Sequence, residues 1–228
     1  MKRVANLLGR LASLALPFFL GFTNSFLLIG PWFLRWEYNK PNFPPDRYGF
    51  TRQARLTLAL PAVEFLASWE RPEKAIRLLE EQTWDARPLY NQRELDHMVD
   101  TKRRTDIIRI MAWVTGVIVV GGTAVRAWRP EANDRTAAWR GLFNGAALTA
   151  VILGAISLYI LVGWDSFFTR FHQLLFPPGT WTFAYSETLI RLFPEKLWFD
   201  VGLMLGVGTL IEAILIALVA YLLGRRAN

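Results

Sequence analysis

The chain has 228 residues, no cysteine and a formal net charge of +7, and 53% of its residues are hydrophobic. This composition is too apolar for an ordinary soluble domain, and the apolar residues are bunched into long runs. The missing cysteines exclude disulfide bonds and thiol chemistry by this chain. The sequence therefore predicts an integral membrane protein.

Four apolar runs predict four transmembrane helices. They cover residues 11–34, 107–128, 141–164 and 201–224. Since a helix rises ~1.5 Å per residue, each run can cross a hydrocarbon core of about 30 Å. The first run has the basic start of a signal peptide but no small-residue cleavage motif, so we interpret it as a retained anchor. We expect one all-α membrane domain over residues 1–228.

Charge orients these helices in the membrane. Four crossings place both termini and the loop around residues 129–140 on one side, where nine basic residues accompany two acidic ones. Nine minus two equals the net charge of the whole protein, +7, so the rest of the chain is balanced. Because Lys and Arg accumulate on the cytoplasmic side, we predict that both termini are cytoplasmic. The basic pI then reflects topology, and we expect no nucleic-acid partner.

Two regions consequently face outward, residues 36–106 and residues 165–199. The first predicts a helical cap between transmembrane helices 1 and 2. In TRQARLTLALPAVEFLASW the apolar residues have helical spacing, and we expect Pro61 to kink or divide the helix. PEKAIRLLEEQ predicts a second, short helix that begins near Pro72. These helices either lie at the membrane interface or form a small cap that packs on itself.

Both histidines of the chain lie in these outward regions. In YNQRELDHMVDTK a helix would place Glu94 and His97 on one face, with Asp100 close enough to orient the imidazole. His172 follows the third apolar run by roughly two helical turns. Helix packing would bring the two histidines into one site. Interfacial histidines are often structural or merely solvated, so their position alone leaves both interpretations open.

A metal site is an alternative use of the same region. His97, Asp100, Asp165 and His172 offer two nitrogens and two carboxylates to a metal ion. The sequence has no H-E-x-x-H motif, no glycine-rich phosphate loop and no G-x-S-x-G elbow. A metal-dependent membrane hydrolase therefore stays open without a specific motif in its favour.

Glu212 lies near the middle of the fourth apolar run, where an unpaired charge is expensive. One interpretation is a hydrogen-bonded carboxyl that faces Asn144, Thr149 or Ser157. The other is an ion or proton path in a small ion-coupled transporter. Few other polar residues cross the predicted bundle, which favours the hydrogen-bonded carboxyl.

A set of short motifs resembles one known family. The motifs are YGF at 48–50, REL-x-HM-x-D at 93–100, FH-x-x-x-F at 171–176, W-x-F at 181–183 and LI-x-LFPEKLWFD at 189–200. In this order they are similar to the four-helix bacterial membrane family of the lipoprotein intramolecular transacylase, Lit. Each motif is weak by itself, but together they are fairly specific and cover most of the chain.

The resemblance implies a reaction at the outer leaflet of the bacterial cytoplasmic membrane, with membrane lipids around the site. The substrate would be a diacylated lipoprotein whose N-terminal cysteine carries a thioether-linked diacylglycerol. The enzyme would move the sn-2 acyl chain to the α-amine of that cysteine, which gives an N-acyl, S-monoacylglyceryl lipoprotein. Donor and acceptor belong to one substrate, so no cofactor, metal or second lipid donor is implied.

The residues suit this chemistry on physical grounds. An α-amine has a pKa of about 7.7–8.0, so a base near neutrality is useful, and the leaving glycerol oxygen needs a proton. We expect His97, oriented by Asp100 or Glu94, to act as base, and His172 to act as acid or oxyanion donor; the two roles are exchangeable. Supporting residues are expected to be Tyr48, Arg52, Arg55, Asp165 and Trp181. Without a cysteine in this chain, direct transfer is the simpler hypothesis.

Overall fold

The structure, a computed structural model, describes residues 2–129 and 132–226. The helices in these residues are α1 (Lys2–Leu28), α2 (Pro31–Tyr38), α3 (Arg52–Ala67), α4 (Pro72–Ala75), α5 (Arg77–Glu80), α6 (Gln92–Ala127), α7 (Ala132–Val162), α8 (Trp164–Leu175), α9 (Thr188–Leu192) and α10 (Glu195–Arg226). Strands β1 (Thr83–Trp84) and β2 (Arg87–Pro88) form one antiparallel hairpin. The predicted orientation rests partly on the ends of the chain and on Glu131, which lie outside the described residues.

Four described helices are long and apolar enough to cross a membrane. They are Arg3–Leu28, Gln92–Ala127, Asp134–Val162 and Glu195–Arg225. These helices confirm the four predicted transmembrane segments and the all-α class. Two of them begin before their apolar runs. The helix α6 starts at Gln92, ahead of the run 107–128, and α10 starts at Glu195, ahead of the run 201–224. The regions that we expected to be loops before these runs are therefore partly helical.

The first transmembrane helix ends earlier than the sequence predicts. We expected it to reach residue 34, but α1 ends at Leu28 and a separate helix begins at Pro31. Gly30 has an extended backbone, with φ −157° and ψ 152°. The proline ring disfavours a helical conformation at the residue before it, so Pro31 separates the two helices and occupies the first position of α2.

The described parts of Met1–Ser25, Ile108–Val162 and Leu203–Asn228 form one compact unit. Its helices approach closely at small residues, as is common between transmembrane helices. A Cβ on Gly122 would lie 2.6 Å from the backbone oxygen of Leu8, and one on Gly206 would lie 2.0 Å from Ser157 Oγ. The absence of a side chain at these two glycines therefore determines how near α6 lies to α1 and α10 to α7.

Phe26–Ile107 and Gly163–Gly202 form a second compact unit. Within it α3 packs against α2, α5 and α9. The helix α3 begins where Thr51 Oγ1 accepts a hydrogen bond from the N–H of Ala54, and it continues through Pro61. Pro61 therefore does not divide this helix. The predicted second helix is present as two short helices, α4 and α5.

Buried polar side chains tie the irregular segments of the second unit to its helices. Arg55, on α3, donates to the backbone oxygens of Pro44 at 2.6 Å and Arg191 at 2.7 Å. Tyr38 donates its hydroxyl hydrogen to the backbone oxygen of Leu192. These bonds satisfy backbone carbonyls that no helix or strand pairs, and they hold the segment before α3 and the end of α9 in place.

The β1–β2 hairpin was not predicted from the sequence. Its turn consists of Asp85 and Ala86, with φ values of 52° and 60°. Positive φ at both central residues is the type I′ pattern, which matches the twist of the strands. Its usual sequence signal, Asn-Gly or Asp-Gly, is missing here because the second position is alanine.

Gly122→Ala tests the close contact between α6 and α1. The added methyl would meet the Leu8 backbone oxygen, which cannot move without shifting α1, so we expect a loss of about 1–3 kcal/mol of stability. Gly121→Ala is the matched control, since nothing lies within 4 Å of its Cβ position. Thermal unfolding in detergent should show a lower midpoint for Gly122→Ala only. Equal midpoints for both variants would contradict the close approach.

Candidate active site

The candidate active site lies in the second compact unit and begins at the first turn of α6. Asn91 Oδ1 accepts a hydrogen bond from the N–H of Glu94 at 3.0 Å, and Glu94 Oε2 accepts one from the N–H of Asn91 at 2.9 Å. This reciprocal pair is a capping box. It starts α6 and thereby sets the direction in which the residues of the next turns project.

Glu94 does not orient the His97 imidazole, contrary to one of the two expectations from the sequence. Its other oxygen, Oε1, accepts the N–H of Leu189 at 2.7 Å, so both carboxylate oxygens are used by backbone donors. The side chain is almost completely buried, with 1% of its surface exposed. Glu94 therefore has a structural role: it caps α6 and attaches α9 to it.

His97 lies one turn further along α6 in an aromatic environment. Its ring centroid is 4.8 Å from that of Phe176 and 5.3 Å from that of Phe183. Nδ1 is buried and has no hydrogen-bond partner among the described residues. Thr101 Oγ1 lies 3.5 Å from Nε2, but its own hydrogen goes to the His97 backbone oxygen at 2.8 Å. The ring also has a backbone contact with Thr180, but burial is the dominant effect and favours the neutral form of the imidazole.

Asp100 does not hydrogen-bond to His97 either. Its Oδ1 accepts from Arg103 at 3.2 Å, and the same guanidinium reaches Glu73 at 2.7 Å. Asp100 is therefore part of an ion-pair network at the surface of α6. The expected orientation of the imidazole by either carboxylate is wrong, and ring packing against Phe176 and Phe183 orients it instead.

His172 lies on α8 with one nitrogen fixed by the helix backbone. Its Nδ1 lies 2.8 Å from the backbone oxygen of Phe168, so Nδ1 carries the hydrogen and Nε2 has the free lone pair in the neutral ring. The imidazole stacks on Trp181 with ring centroids 4.9 Å apart. Burial lowers the pKa of His172, and the bond to Phe168, which acts in the opposite direction, does not offset it.

The two histidines meet at Phe176. The ring of Phe176 is 4.8 Å from that of His97 and 5.7 Å from that of His172. The imidazole centroids are therefore separated by no more than the sum of these two distances. The sequence analysis predicted that helix packing would bring the two histidines together, and the structure places them in one aromatic cluster.

Arg104 links the helices that carry the two histidines, and the sequence analysis missed it. Its Nε donates to the backbone oxygen of Leu175 at 3.1 Å, at the end of α8, where helix carbonyls lack intrahelical partners. Its guanidinium also lies 5.9 Å from the centroid of Phe176. The sequence contained one indication that Arg104 lies on the same side of α6 as His97. Arg104 follows His97 by seven residues, and residues seven apart lie on one face of a helix.

The segment between α8 and α9 is fixed to α6 by ionic contacts. Arg93 pairs with Glu187 at 2.9 Å and lies 4.9 Å from the ring centroid of Phe183. Burial acts to raise the pKa of Glu187, but hydrogen bonds from Ala184, Asn91 and Arg93 lower it below the usual range. The segment between α8 and α9, which contains Trp181, is therefore attached to α6 at the end next to α9.

Two polar atoms in this cluster remain unpaired within residues 2–129 and 132–226. They are Nδ1 of His97 and Nε1 of Trp181, and both are buried. A buried polar atom without a partner is costly, and such exceptions are typical of functional sites. Together they offer an imidazole nitrogen and an indole N–H donor to a bound ligand.

The remaining predicted residues lie away from the two rings or have other partners. Arg55 is buried and donates to the two backbone oxygens described above, which leaves it a structural role. Arg52 is exposed at the start of α3. Tyr48 is half exposed, and the Arg191 guanidinium lies 5.6 Å from its ring. Asp165 is exposed in the first turn of α8, about two turns before His172.

Glu212 is hydrogen-bonded, but not to the residues that the sequence suggested. Asn24 Nδ2 donates to Glu212 Oε2 at 2.7 Å and to Thr209 Oγ1 at 3.0 Å. This small polar cluster between α1 and α10 accounts for a carboxyl in an apolar run. The four residues proposed from the sequence as metal ligands do not come together as a set, since the described parts of the chain contain no group of three or more His, Cys, Asp or Glu placed to hold a metal ion.

Comparisons with known proteins find one family model and a relative of similar length. The family described as lipoprotein intramolecular transacylase Lit matches residues 10–198 of the chain. An uncharacterized protein of Aquifex aeolicus (strain VF5) is 32% identical over 185 residues, which are 80% of this chain and 76% of that protein.

Solved structures show the same fold. The structure of the membrane-integral lipoprotein intramolecular transacylase Lit from Bacillus cereus matches with a TM-score of 0.70 and 17% identity, over 99% of this chain and 98% of that one. A variant of the Bacillus cereus protein with a histidine replaced by alanine matches with a TM-score of 0.60 and 17% identity, over 99% and 96% of the two chains.

Glu94→Ala tests whether this carboxylate is structural. The substitution leaves the N–H groups of Asn91 and Leu189 without their acceptor, so we expect a loss of about 1–3 kcal/mol of stability. Asp96→Ala is the matched control, because Asp96 is exposed on the same helix and accepts a hydrogen bond from the nearby side chain of Gln92. Thermal unfolding in detergent measures both. A midpoint for Glu94→Ala as high as that for Asp96→Ala would contradict the capping role.

Proposed function

The chain belongs to the lipoprotein intramolecular transacylase (Lit) family, and we propose that its two histidines carry out the transfer. It is a multi-pass membrane acyltransferase that acts on a lipoprotein. The acyl chain moves from the sn-2 oxygen of the diacylglyceryl-cysteine to the α-amine of the same cysteine. The observation that carries our proposal is the position of both imidazoles around Phe176.

The first step is the removal of a proton from the substrate. The α-amine has a pKa of about 7.7–8.0, so near neutrality it arrives largely as an ammonium ion that cannot attack an ester. A neutral imidazole accepts one of its protons and leaves the amine with a free lone pair. The substrate thereby supplies the proton that the leaving group will need, and the histidine that received it is now an imidazolium.

The second step forms the C–N bond and breaks the C–O bond. The amine attacks the ester carbonyl, and the second, neutral histidine takes another proton from the nitrogen as the tetrahedral intermediate forms. The imidazolium then protonates the departing glycerol oxygen. The balance is one ammonium and one ester converted to one amide, one alcohol and one proton, which the second histidine later releases to water.

Two details of the site support this order of proton transfers. His172 has a lowered pKa, which keeps it neutral before the substrate arrives, and its Nδ1–H bond to Phe168 leaves Nε2 as the acceptor. His97 presents Nδ1 buried and without a partner. Two neutral histidines suit a reaction in which the substrate brings the proton. Either histidine can accept the first proton.

The developing negative charge on the carbonyl oxygen requires a donor. Trp181 Nε1 is buried, unpaired in the described residues and part of the ring stacked on His172, so we assign it this role. Arg104 acts through position: it holds the end of α8, and thus His172, against the helix of His97. These assignments replace Arg52, which is exposed at the start of α3, and Arg55, whose guanidinium donates to the backbone oxygens of Pro44 and Arg191.

Positioning contributes the largest part of the rate in our proposal. Donor and acceptor belong to the same molecule, and well-oriented intramolecular reactions reach effective molarities of about 10⁵–10⁸ M. We propose that the site opens to the outer face of the bacterial cytoplasmic membrane, where a mature lipoprotein presents its lipidated terminus. The whole chain then works as one membrane domain with cytoplasmic termini, consistent with the distribution of basic residues.

His97→Ala and His172→Ala test the assignment. Each should lower the rate of transfer by about 10²–10⁴-fold, because each removes one of two proton carriers. The host would lack other lipoprotein N-acylating enzymes, and mass spectrometry of a lipoprotein's N-terminal peptide would be the readout. The product has the mass of the substrate, so fragments must show that the acyl chain is on nitrogen. Asp96→Ala, beside His97 and exposed, is the control and should keep its activity.

The same assay separates the alternatives. A hydrolase would release a fatty acid and lower the mass of the peptide, whereas transfer conserves it. A transporter that uses Glu212 would show flux in liposomes and would not need the histidines; we expect Glu212→Gln to keep transfer activity. Full activity of a folded, inserted His97→Ala or His172→Ala variant would remove that residue from the mechanism.

The pH dependence of the rate tests the neutral state of His172. Its pKa lies below the ordinary histidine value of 6.5, so the ring should stay neutral and active as the pH falls past 6.5. Activity is then lost at lower pH, when protonation removes the acceptor. We expect the acidic limb of kcat, at saturating lipopeptide, to have its midpoint below 6.5. A midpoint above that value would contradict a neutral, buried His172.

A further inference from the structure

A groove in the first compact unit lies between neighbouring ends of α7 and α10, and no residue of the candidate active site lines it. It has a volume of about 220 Å³, and its walls are mainly apolar with two arginines. The residues that line it are Thr136, Trp139, Arg140, Phe143, Ala220, Tyr221, Gly224 and Arg225. We propose that this groove binds the headgroup of an anionic phospholipid.

The two arginines lie at the depth of lipid phosphates. Arg140 is the last charged residue before the apolar run 141–164, and Arg225 is the first after the run 201–224. Each run ends where the hydrocarbon core ends, so both guanidinium groups reach the headgroup layer. Both side chains also line the same groove. A phosphate placed between them would receive hydrogen bonds from both sides.

Neither guanidinium is neutralised in the part of the chain that the structure describes. No carboxylate of residues 2–129 or 132–226 forms an ion pair with Arg140 or Arg225. By contrast, Arg129 lies 3.5 Å from Asp134 in the same unit. The nearest aromatic contact of Arg225 is the ring of Tyr221, whose centroid is 5.8 Å away. The groove thus presents two cations with free donors, and the fork of an arginine matches the geometry of a phosphate.

The walls of the groove fit a lipid better than a free anion. Trp139, Phe143 and Tyr221 provide amphipathic or apolar rings of the kind found at membrane interfaces. Gly224 has no side chain that would fill the floor of the groove. A Cβ added at this position would contact the Cβ of Trp139 at 3.5 Å. Exposed apolar side chains on the same two helices, such as Phe143 and Leu218, offer a surface that acyl chains would cover.

Binding to the purified protein tests this inference directly. Native mass spectrometry of the detergent-solubilised protein would compare dioleoyl phosphatidylglycerol with dioleoyl phosphatidylcholine, which share acyl chains and differ in net charge. We expect preferential retention of the anionic lipid. Arg140→Gln combined with Arg225→Gln should weaken its binding by about tenfold, because each basic residue near a lipid surface contributes to the attraction.

Two controls keep the test specific. Arg10→Gln combined with Arg135→Gln removes two exposed positive charges from the same compact unit, but neither residue lines the groove, and this variant should bind the anionic lipid like the parent. Equal weakening in both double variants would reduce the effect to bulk charge and overturn the site, as would equal retention of the zwitterionic lipid. If Arg140→Gln with Arg225→Gln does not fold, Gly224→Leu, which fills the groove and keeps both charges, should still lower retention.

Discussion

The buried carboxylate of Glu94 is the interaction on which the arrangement of the site depends. It accepts backbone hydrogens from Asn91 and from Leu189, so one side chain both begins α6 and attaches α9 to it. A carboxylate with 1% of its surface exposed is stable only when its oxygens are paired in this way. Because His97 lies three residues further on, the start of this helix determines where the imidazole projects.

The second compact unit uses the same principle at several places. Arg55 and Tyr38 are buried, and both donate to backbone oxygens of irregular or terminal segments. Arg191 binds Asp46 at 3.0 Å, and Asp46 in turn accepts the N–H of Phe50 at 2.8 Å. Buried polar groups here replace the hydrogen bonds that helices or strands would otherwise supply. Buried atoms of Glu37, Gln82, Tyr90, His97 and Trp181 are the ones in this unit without a partner among the described residues. Nδ1 of His97 and Nε1 of Trp181 differ in that both belong to the aromatic cluster of the two histidines, where a ligand can bind.

Acyl transfer between two parts of one substrate makes few demands on the enzyme beyond position and proton transfer. Aromatic rings pack against the two histidines, and no carboxylate of the described residues hydrogen-bonds to either imidazole. A carboxylate hydrogen-bonded to either imidazole would stabilise the imidazolium before the substrate arrives. A neutral site instead leaves the substrate ammonium as the source of the proton, which suits a reaction whose nucleophile must first be deprotonated.

The sequence by itself determined the number of transmembrane helices, the all-α class and the two histidines, because these depend on run length, composition and residue type. It also indicated the family, through motifs that span the chain. It did not predict that Gly30 and Pro31 end the first helix early, since the apolar run continues past them. Only the tertiary structure decided the partners of Glu94, Asp100, Arg55 and Arg104, and the convergence of both imidazoles on Phe176. The physical reason is that a polar side chain takes whichever donor or acceptor folding brings within about 3 Å, and most of those partners lie far away along the chain.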